Sequence, residues 1–179
     1  AARGTRPKKL VVPGRNDCAH AKEGGREKPG YAGFFCRGSA SLIAQGEPGS
    51  KPRVSDKLDY EAELAVVIGK KARHMTPENA LSCVFGYSCF NDISVRDWQF
   101  HTAQWLVGKS FDTHAPIGPW IVTADEIGDP HALGIRCLVN GEPTPNSNTQ
   151  NLVFHCFHHI ANPSQAMAQE PAPLRVHAP

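Results

Sequence analysis

Leu58-Asp59-Tyr60-Glu61-Ala62-Glu63-Leu64-Ala65-Val66-Val67-Ile68 is the stretch from which the fold can be read. Taken as one β-strand, it alternates between two faces, and Glu61 and Glu63 share a face with Ala65 and Val67. The opposite face carries Leu58, Tyr60, Ala62, Leu64, Val66 and Ile68. Beyond Glu63 both faces are apolar, which is the pattern of a central strand covered on both sides. The two carboxylates stand roughly 7 Å apart along such a strand. At an effective dielectric near 20 they repel by about 2 kcal/mol, and desolvation adds to that cost. A bound cation removes both penalties.

A third carboxylate follows in Gly86-Tyr-Ser-Cys-Phe-Asn-Asp-Ile-Ser, where Asp92 lies just past an apolar strand. Three oxygen ligands without imidazole or thiolate suit Mg²⁺ or Mn²⁺ rather than zinc. The alternative reading leaves Glu61 and Glu63 on a wet strand face and makes Asp92 a helix cap.

Working outward, Leu-Val-Val before Pro13-Gly14 reads as a short strand over 10–14. One or two helical turns fit 17–23, a charged, glycine-rich loop fits 22–33, and short extended pieces fit 34–54. Thr76 is placed to cap a helix with Pro77 at its first position and Glu78 in its first turn, running to about Ser82. A strand follows near 84–90, and Ser94 is placed to cap a short helix through Phe100. Further strands fit 117–123 and 135–139, the latter ending in the Asn140-Gly141 turn signal. From His155 onward the chain is rich in His, Ala and Pro with poor periodicity. The class is α+β and mostly β, with a domain over 1–154 and a degenerate or truncated tail of the same domain over 155–179.

A length of 179 residues supports one domain with a real core. A net charge of +2 asks for neither nucleic acid nor an anionic membrane as partner. No stretch reaches the roughly 18 apolar residues of a membrane helix, and no apolar secretory run is visible at the start. Six scattered cysteines without a C-x-x-C pair suggest reduced thiols and a cytoplasmic setting. There is no G-x-G-x-x-G or P-loop.

Two further groupings bear on chemistry. His20 and Glu23 are neighbours on a helix at i and i+3, so Glu23 can orient His20 as a general base; such a pair is also common surface decoration. Lys109 in Gly108-Lys109-Ser110-Phe111-Asp112 is alone an ordinary lysine. His155, Cys156, His158 and His159 are too crowded for a zinc site and no second ligand pair follows.

Taken in order, these segments resemble the fumarylacetoacetate hydrolase family. Asp59–Gly69 resembles its central metal-binding strand, and Gly86-Tyr87 with Asn91-Asp92, Arg96-Asp97 and Gln99 resembles the segment with the third ligand. Gly108–Asp112 and Gly118-Pro119 match the stretch with its lysine, and Asn140-Gly141-Glu142 with Ser147-Asn148-Thr149 fits the hairpin that follows. The resemblance implies a mixed β-roll with short helices and a homodimer. It implies Mg²⁺ or Mn²⁺ on Glu61, Glu63 and Asp92, and an acid–base pair of His20 and Glu23 on a lid over about 14–33. It further implies that Lys109 neutralises a developing enolate, that Gln99 faces the substrate, and that Arg37 and Arg96 bind it.

Three departures stand out. Asp17 follows Asn16 where the family usually has tyrosine, and Arg37 stands where many relatives have lysine. Leu174–Pro179 occupies the place of a Gly-Thr-Pro turn, which leaves the roll incomplete at its C-terminal end and predicts an unpaired sheet edge. The implied chemistry is hydrolytic C–C cleavage of an acylpyruvate-type β-diketo acid through an enolate. Alternatives are an oxo-diacid decarboxylase or tautomerase, an isomerase of aromatic catabolism, and a non-catalytic truncated paralogue.

Overall fold

A computed structural model describes residues 7, 9–14, 16, 30–144, 146–171 and 174–177. The expected helical turns over 17–23, with His20 and Glu23, lie outside the described residues, as does most of the expected lid.

The first strands are β1 (Leu10–Gly14), β2 (Gly33–Arg37) and β3 (Leu42–Ala44). They are followed by β4 (Leu58–Asp59), β5 (Ala62–Ile68), β6 (Val84–Asn91), β7 (Ser94–Val95) and helix α1 (Arg96–Gln99). The chain continues through β8 (Ala115–Thr123), α2 (Ala124–Ile127), β9 (Gly134–Ile135), β10 (Leu138–Val139), β11 (Glu142–Pro143) and β12 (Ser147–Asn148). It closes with α3 (Cys156–Ala166) and β13 (Leu174–His177). Seven of the strands form one mixed sheet in the order β2-β1-β13-β5-β6-β8-β3. The class is therefore α+β with a mostly β core, as the pattern of β5 indicated.

β5 lies at the middle of this sheet, and its alternation separates two cores. Leu64, Val66 and Ile68 face one side, where Ala72, Tyr87, Leu152, Cys156 and Ile160 join them. Ala65 faces the other with Leu10, Val12, Phe90 and Ala115, and Val67 packs against that cluster. Burial of this kind on both faces contributes the bulk of the folding free energy.

The expected continuous strand over 58–68 breaks at Tyr60 and Glu61. Its first residues pair with β7, Leu58 opposite Val95 and Asp59 opposite Ser94, whereas 62–68 pair with β6. Two partners in different sheets require the chain to turn between them. The expected helix over 77–82 is instead a turn followed by a 3-10 helix over Ala80–Cys83. Thr76 does not cap it; its amide donates to Asn79 Oδ1 at 2.9 Å. Ser94 likewise caps no helix, because it belongs to β7 and its hydroxyl turns toward the carboxylates. The strand expected over 135–139 is two short pieces, but the Asn140-Gly141 turn stands: both residues have positive φ, 53° and 86°, and join β10 to β11.

The tail carries regular structure that its poor periodicity did not show. Residues 156–166 form the longest helix among the described residues, with Cys156, Ile160 and Ala161 buried in the core. Ala72 and Gln169 exchange backbone hydrogen bonds at 2.8 and 2.7 Å, and Ser164 Oγ accepts from the Met75 amide at 2.9 Å. β13 then enters the sheet between β1, to which it is parallel, and β5, to which it is antiparallel. The tail thus places a strand at the centre of the sheet, and the open edges are those of β2 and β3. Poor periodicity concealed this because the buried face of α3 includes the polar His159 and Ser164 and also Pro163.

Candidate metal centre

The carboxylates converge at the end of the β5–β6 ladder. That ladder brings Ala62 opposite Asn91 and Glu63 opposite Phe90. One residue further, the pairing passes to side chain and turn. The Glu61 amide donates to Asn91 Oδ1 at 3.0 Å, and the Asp92 amide donates to the Glu61 carbonyl at 2.9 Å. These two bonds set Glu61 and Asp92 next to each other and beside Glu63. One ligand oxygen from each of the three residues lies within 4.8 Å of the others.

Three cations surround them. Lys109 is almost fully buried, with Nζ 2.8 Å from Glu61 Oε1 and 2.5 Å from Asp92 Oδ2. Gly108 allows that approach: it packs so closely on the backbone of Gln99 that a Cβ has no room. Arg96 donates from Nε to Asp59 Oδ2 at 2.8 Å and from Nη1 to Glu61 Oε1 at 2.6 Å. Arg37 pairs with Asp92 Oδ1. Ser94 Oγ lies 2.7 Å from Glu61 Oε1 and 3.0 Å from the Asp92 carbonyl, so its one proton serves either in turn.

The two glutamates are tuned in opposite directions. Burial presses the Glu61 pKa upward, but Lys109, Arg96 and the hydrogen bonds from Lys109 and Ser94 outweigh it and hold the carboxyl below its usual range. Glu63 is raised well above that range, first by burial and then by the charges of Asp92 and Glu61. Its Oε2 is buried with no hydrogen-bond partner among the described residues. Leaving a buried acceptor unsatisfied costs about 1–3 kcal/mol, more for a charged group. An orphaned buried oxygen beside two further carboxylates, all oxygen donors, fits a hard divalent cation. Glu61, Glu63 and Asp92 are the residues that would hold it.

The structure brings Glu61, Glu63, Asp92, Lys109, Arg96 and Gln99 together, and it alters the setting of two expected substrate contacts. Gln99 is buried and accepts from Arg96 Nη1 at 3.0 Å. Arg37, expected at the substrate, has a side chain with no exposure. Beyond Asp92, its Nη2 donates to the carbonyls of Ile93 and His114 at 3.2 and 2.7 Å. Ser94, Asn91 and Asp59 were not singled out as site residues. Asn91 lies next to Asp92 in sequence, but nothing local marks Asp59 as the partner of Arg96. Asn16 is buried and brackets Phe154, donating to its carbonyl at 3.0 Å and accepting from its amide at 2.8 Å.

Comparison with known proteins bears on these features. The family described as fumarylacetoacetate (FAA) hydrolase C-terminal matches residues 9–174. A mitochondrial oxaloacetate tautomerase of Xenopus laevis is 44% identical over 152 residues, 84% of this chain and 48% of that protein. A human mitochondrial oxaloacetate tautomerase is 42% identical over 163 residues, 90% of this chain and 52% of that protein. The chain thus spans about half the length of the curated relatives it matches. Among solved structures, a 5-carboxymethyl-2-hydroxymuconate delta-isomerase from Mycobacterium smegmatis superposes with a TM-score of 0.88 at 31% identity, covering 97% of this chain and 68% of that one. A fumarylacetoacetate hydrolase from Exiguobacterium antarcticum gives 0.88 at 33% identity, covering 97% and 63%. The cytoplasmic setting expected from the cysteines is not what these relatives' names carry, since both are named mitochondrial. No helix among the described residues is long and apolar enough to cross a membrane.

Proposed function

This chain belongs to the fumarylacetoacetate hydrolase family, and from that premise we propose that it interconverts the keto and enol forms of a small 2-oxo diacid of the oxaloacetate type. The cofactor is one Mg²⁺ or Mn²⁺ on Glu61, Glu63 and Asp92. The observation that carries this reading is the buried all-oxygen triad with its orphaned Glu63 oxygen, set beside the buried ammonium of Lys109. The tautomerase names of relatives at 44% and 42% identity favour this outcome over C–C hydrolysis.

When bound, the cation supplies Lewis-acid polarisation of a 2-oxo carboxylate. Lys109 offers a buried positive charge to the oxygen on which negative charge develops, where low dielectric strengthens its effect. Arg96, braced by Asp59, holds Glu61 and reaches the substrate's polar end together with Gln99. His20, paired with Glu23 on the family's pattern, would take the proton from carbon and deliver it to oxygen.

Hydrolysis of an acylpyruvate-type β-diketo acid is the second reading. It too passes through an enolate, that of pyruvate, and the E. antarcticum neighbour is named a fumarylacetoacetate hydrolase. A homodimer is the assembly proposed on the family's pattern, to be read by light scattering. The deciding assay uses the folded chain with saturating Mn²⁺, on oxaloacetate and on an acylpyruvate, beside Glu63→Ala. Enol consumption above the spontaneous rate, abolished in the variant, supports the tautomerase. Release of a second carboxylic acid from the acylpyruvate alone supports the hydrolase. A folded, Mn²⁺-loaded chain that turns over neither overturns both readings.

A further inference from the structure

We propose that Arg37 is a positioning residue for the metal centre, fixing Asp92 so that it presents a single oxygen, Oδ2, toward the other two carboxylates. This inference rests on the metal reading above. Arg37 is the last residue of β2, and its side chain has no exposure. Nη1 holds Asp92 Oδ1. Nη2 donates to the Ile93 carbonyl at 3.2 Å and to the His114 carbonyl at 2.7 Å. The fork therefore ties three stretches of chain: the end of β2, the turn after β6, and the entry to β8.

His114 is itself secured, its Nε2 2.8 Å from the Ser50 carbonyl and its ring stacked on Phe111. The backbone acceptors on Nη2 thus locate the guanidinium, and the guanidinium locates Asp92. With Oδ1 committed, Oδ2 is the oxygen on the side shared with Lys109 and Glu61 Oε1. The buried Nε of Arg37 has no hydrogen-bond partner among the described residues, so the group is held by its two forked ends. A planar, always charged fork can span acceptors in this arrangement, whereas the ammonium of lysine is a single point. Groups that orient a metal ligand in this way change metal affinity by about 10- to 100-fold when altered.

The test compares Arg37→Lys and Arg37→Met with the parent chain, measuring Mn²⁺ dissociation constants by electron paramagnetic resonance and metal-free unfolding midpoints on the same samples. The expected result is a Kd raised about 10-fold or more in both variants, under conditions where each is fully folded. Charge is kept in the lysine variant, so parental affinity there overturns the positioning role and leaves charge balance alone. Parental affinity in both variants overturns it too, with the metal reading intact. Absence of Mn²⁺ binding by the folded parent removes the metal reading itself, and this inference with it. Lack of a cooperative transition in both variants makes Arg37 a structural tie of the sheet and equally overturns the assignment.

Discussion

Lys109 Nζ sits 2.8 Å from Glu61 Oε1, a cation already in place where two acidic side chains meet. Its other partner, Asp92 Oδ2, has no exposure. Removing one member of a buried pair leaves its partner uncompensated and costs about 3–5 kcal/mol. Lys109→Met is therefore expected to lower metal-free stability by about that amount, and Mn²⁺ is expected to restore much of it. Denaturant midpoints with and without Mn²⁺ read both effects. A variant as stable as the parent without metal contradicts the prediction.

Glu63 gives a pH dependence whose sign follows from its raised pKa. In the metal-free fold it keeps a proton that the unfolded chain releases above the ordinary glutamate value of 4.5. The folded state then binds more protons, so this group's contribution to stability falls as pH rises from there through the folded pKa. Glu61 acts oppositely, its contribution being present above 4.5 and lost as pH falls through its lowered pKa. Subtracting the Glu63→Gln curve from the parent's isolates the Glu63 slope, which is expected to vanish in saturating Mn²⁺. A parent and variant with parallel metal-free curves above that value contradict the assignment.

Thiol reactivity should sort by position. Cys36 and Cys89 are exposed free thiols, whereas Cys83 and Cys156 are buried. Burial pushes the Cys156 thiol up to about 12, and the thiolate is the reactive form. Alkylation at mildly basic pH, followed by mass spectrometry, is expected to label Cys36 and Cys89 first, and Cys83 and Cys156 only on unfolding. Early labelling of Cys156 places α3 off the core.

Ile160 anchors α3 with no exposed surface. Ile160→Ala is expected to cost about 2–5 kcal/mol, shifting the denaturant midpoint while leaving the Mn²⁺ affinity of the folded protein within about twofold. A midpoint at the parental value means the helix contributes no packing.

Much of the candidate site is legible in sequence because its carboxylates come from one strand and the end of its neighbour. The period of two puts Glu61 and Glu63 together even though the strand breaks at Glu61, since that break keeps both near the ladder's end. Lys109 and Arg96 are different. Their roles depend on turns that fold back over β5, and local sequence gives no sign of where a turn points. Arg37 illustrates the limit best. Family pattern supplies the residue, but only its three acceptors, one of them 77 residues away at His114, reveal that it faces inward. The tail was opaque for a related reason: Cys156 and Ile160 acquire their meaning from Leu64 and Tyr87, far upstream.

β13 lies between β1 and the carboxylate-bearing strand, so the centre of the sheet joins segments far apart in sequence, Leu10 with Leu174 and Val67 with Leu174. A ribosome delivers those segments at different times. Until residue 177 has emerged, β1 and β5 each hold an open flank, and the nascent chain carries two unsatisfied ladders side by side. Pairings this distant in sequence close slowly, and such intermediates are prone to aggregate. The acidic cluster is thus carried on a strand whose full pairing waits on residues made long after it.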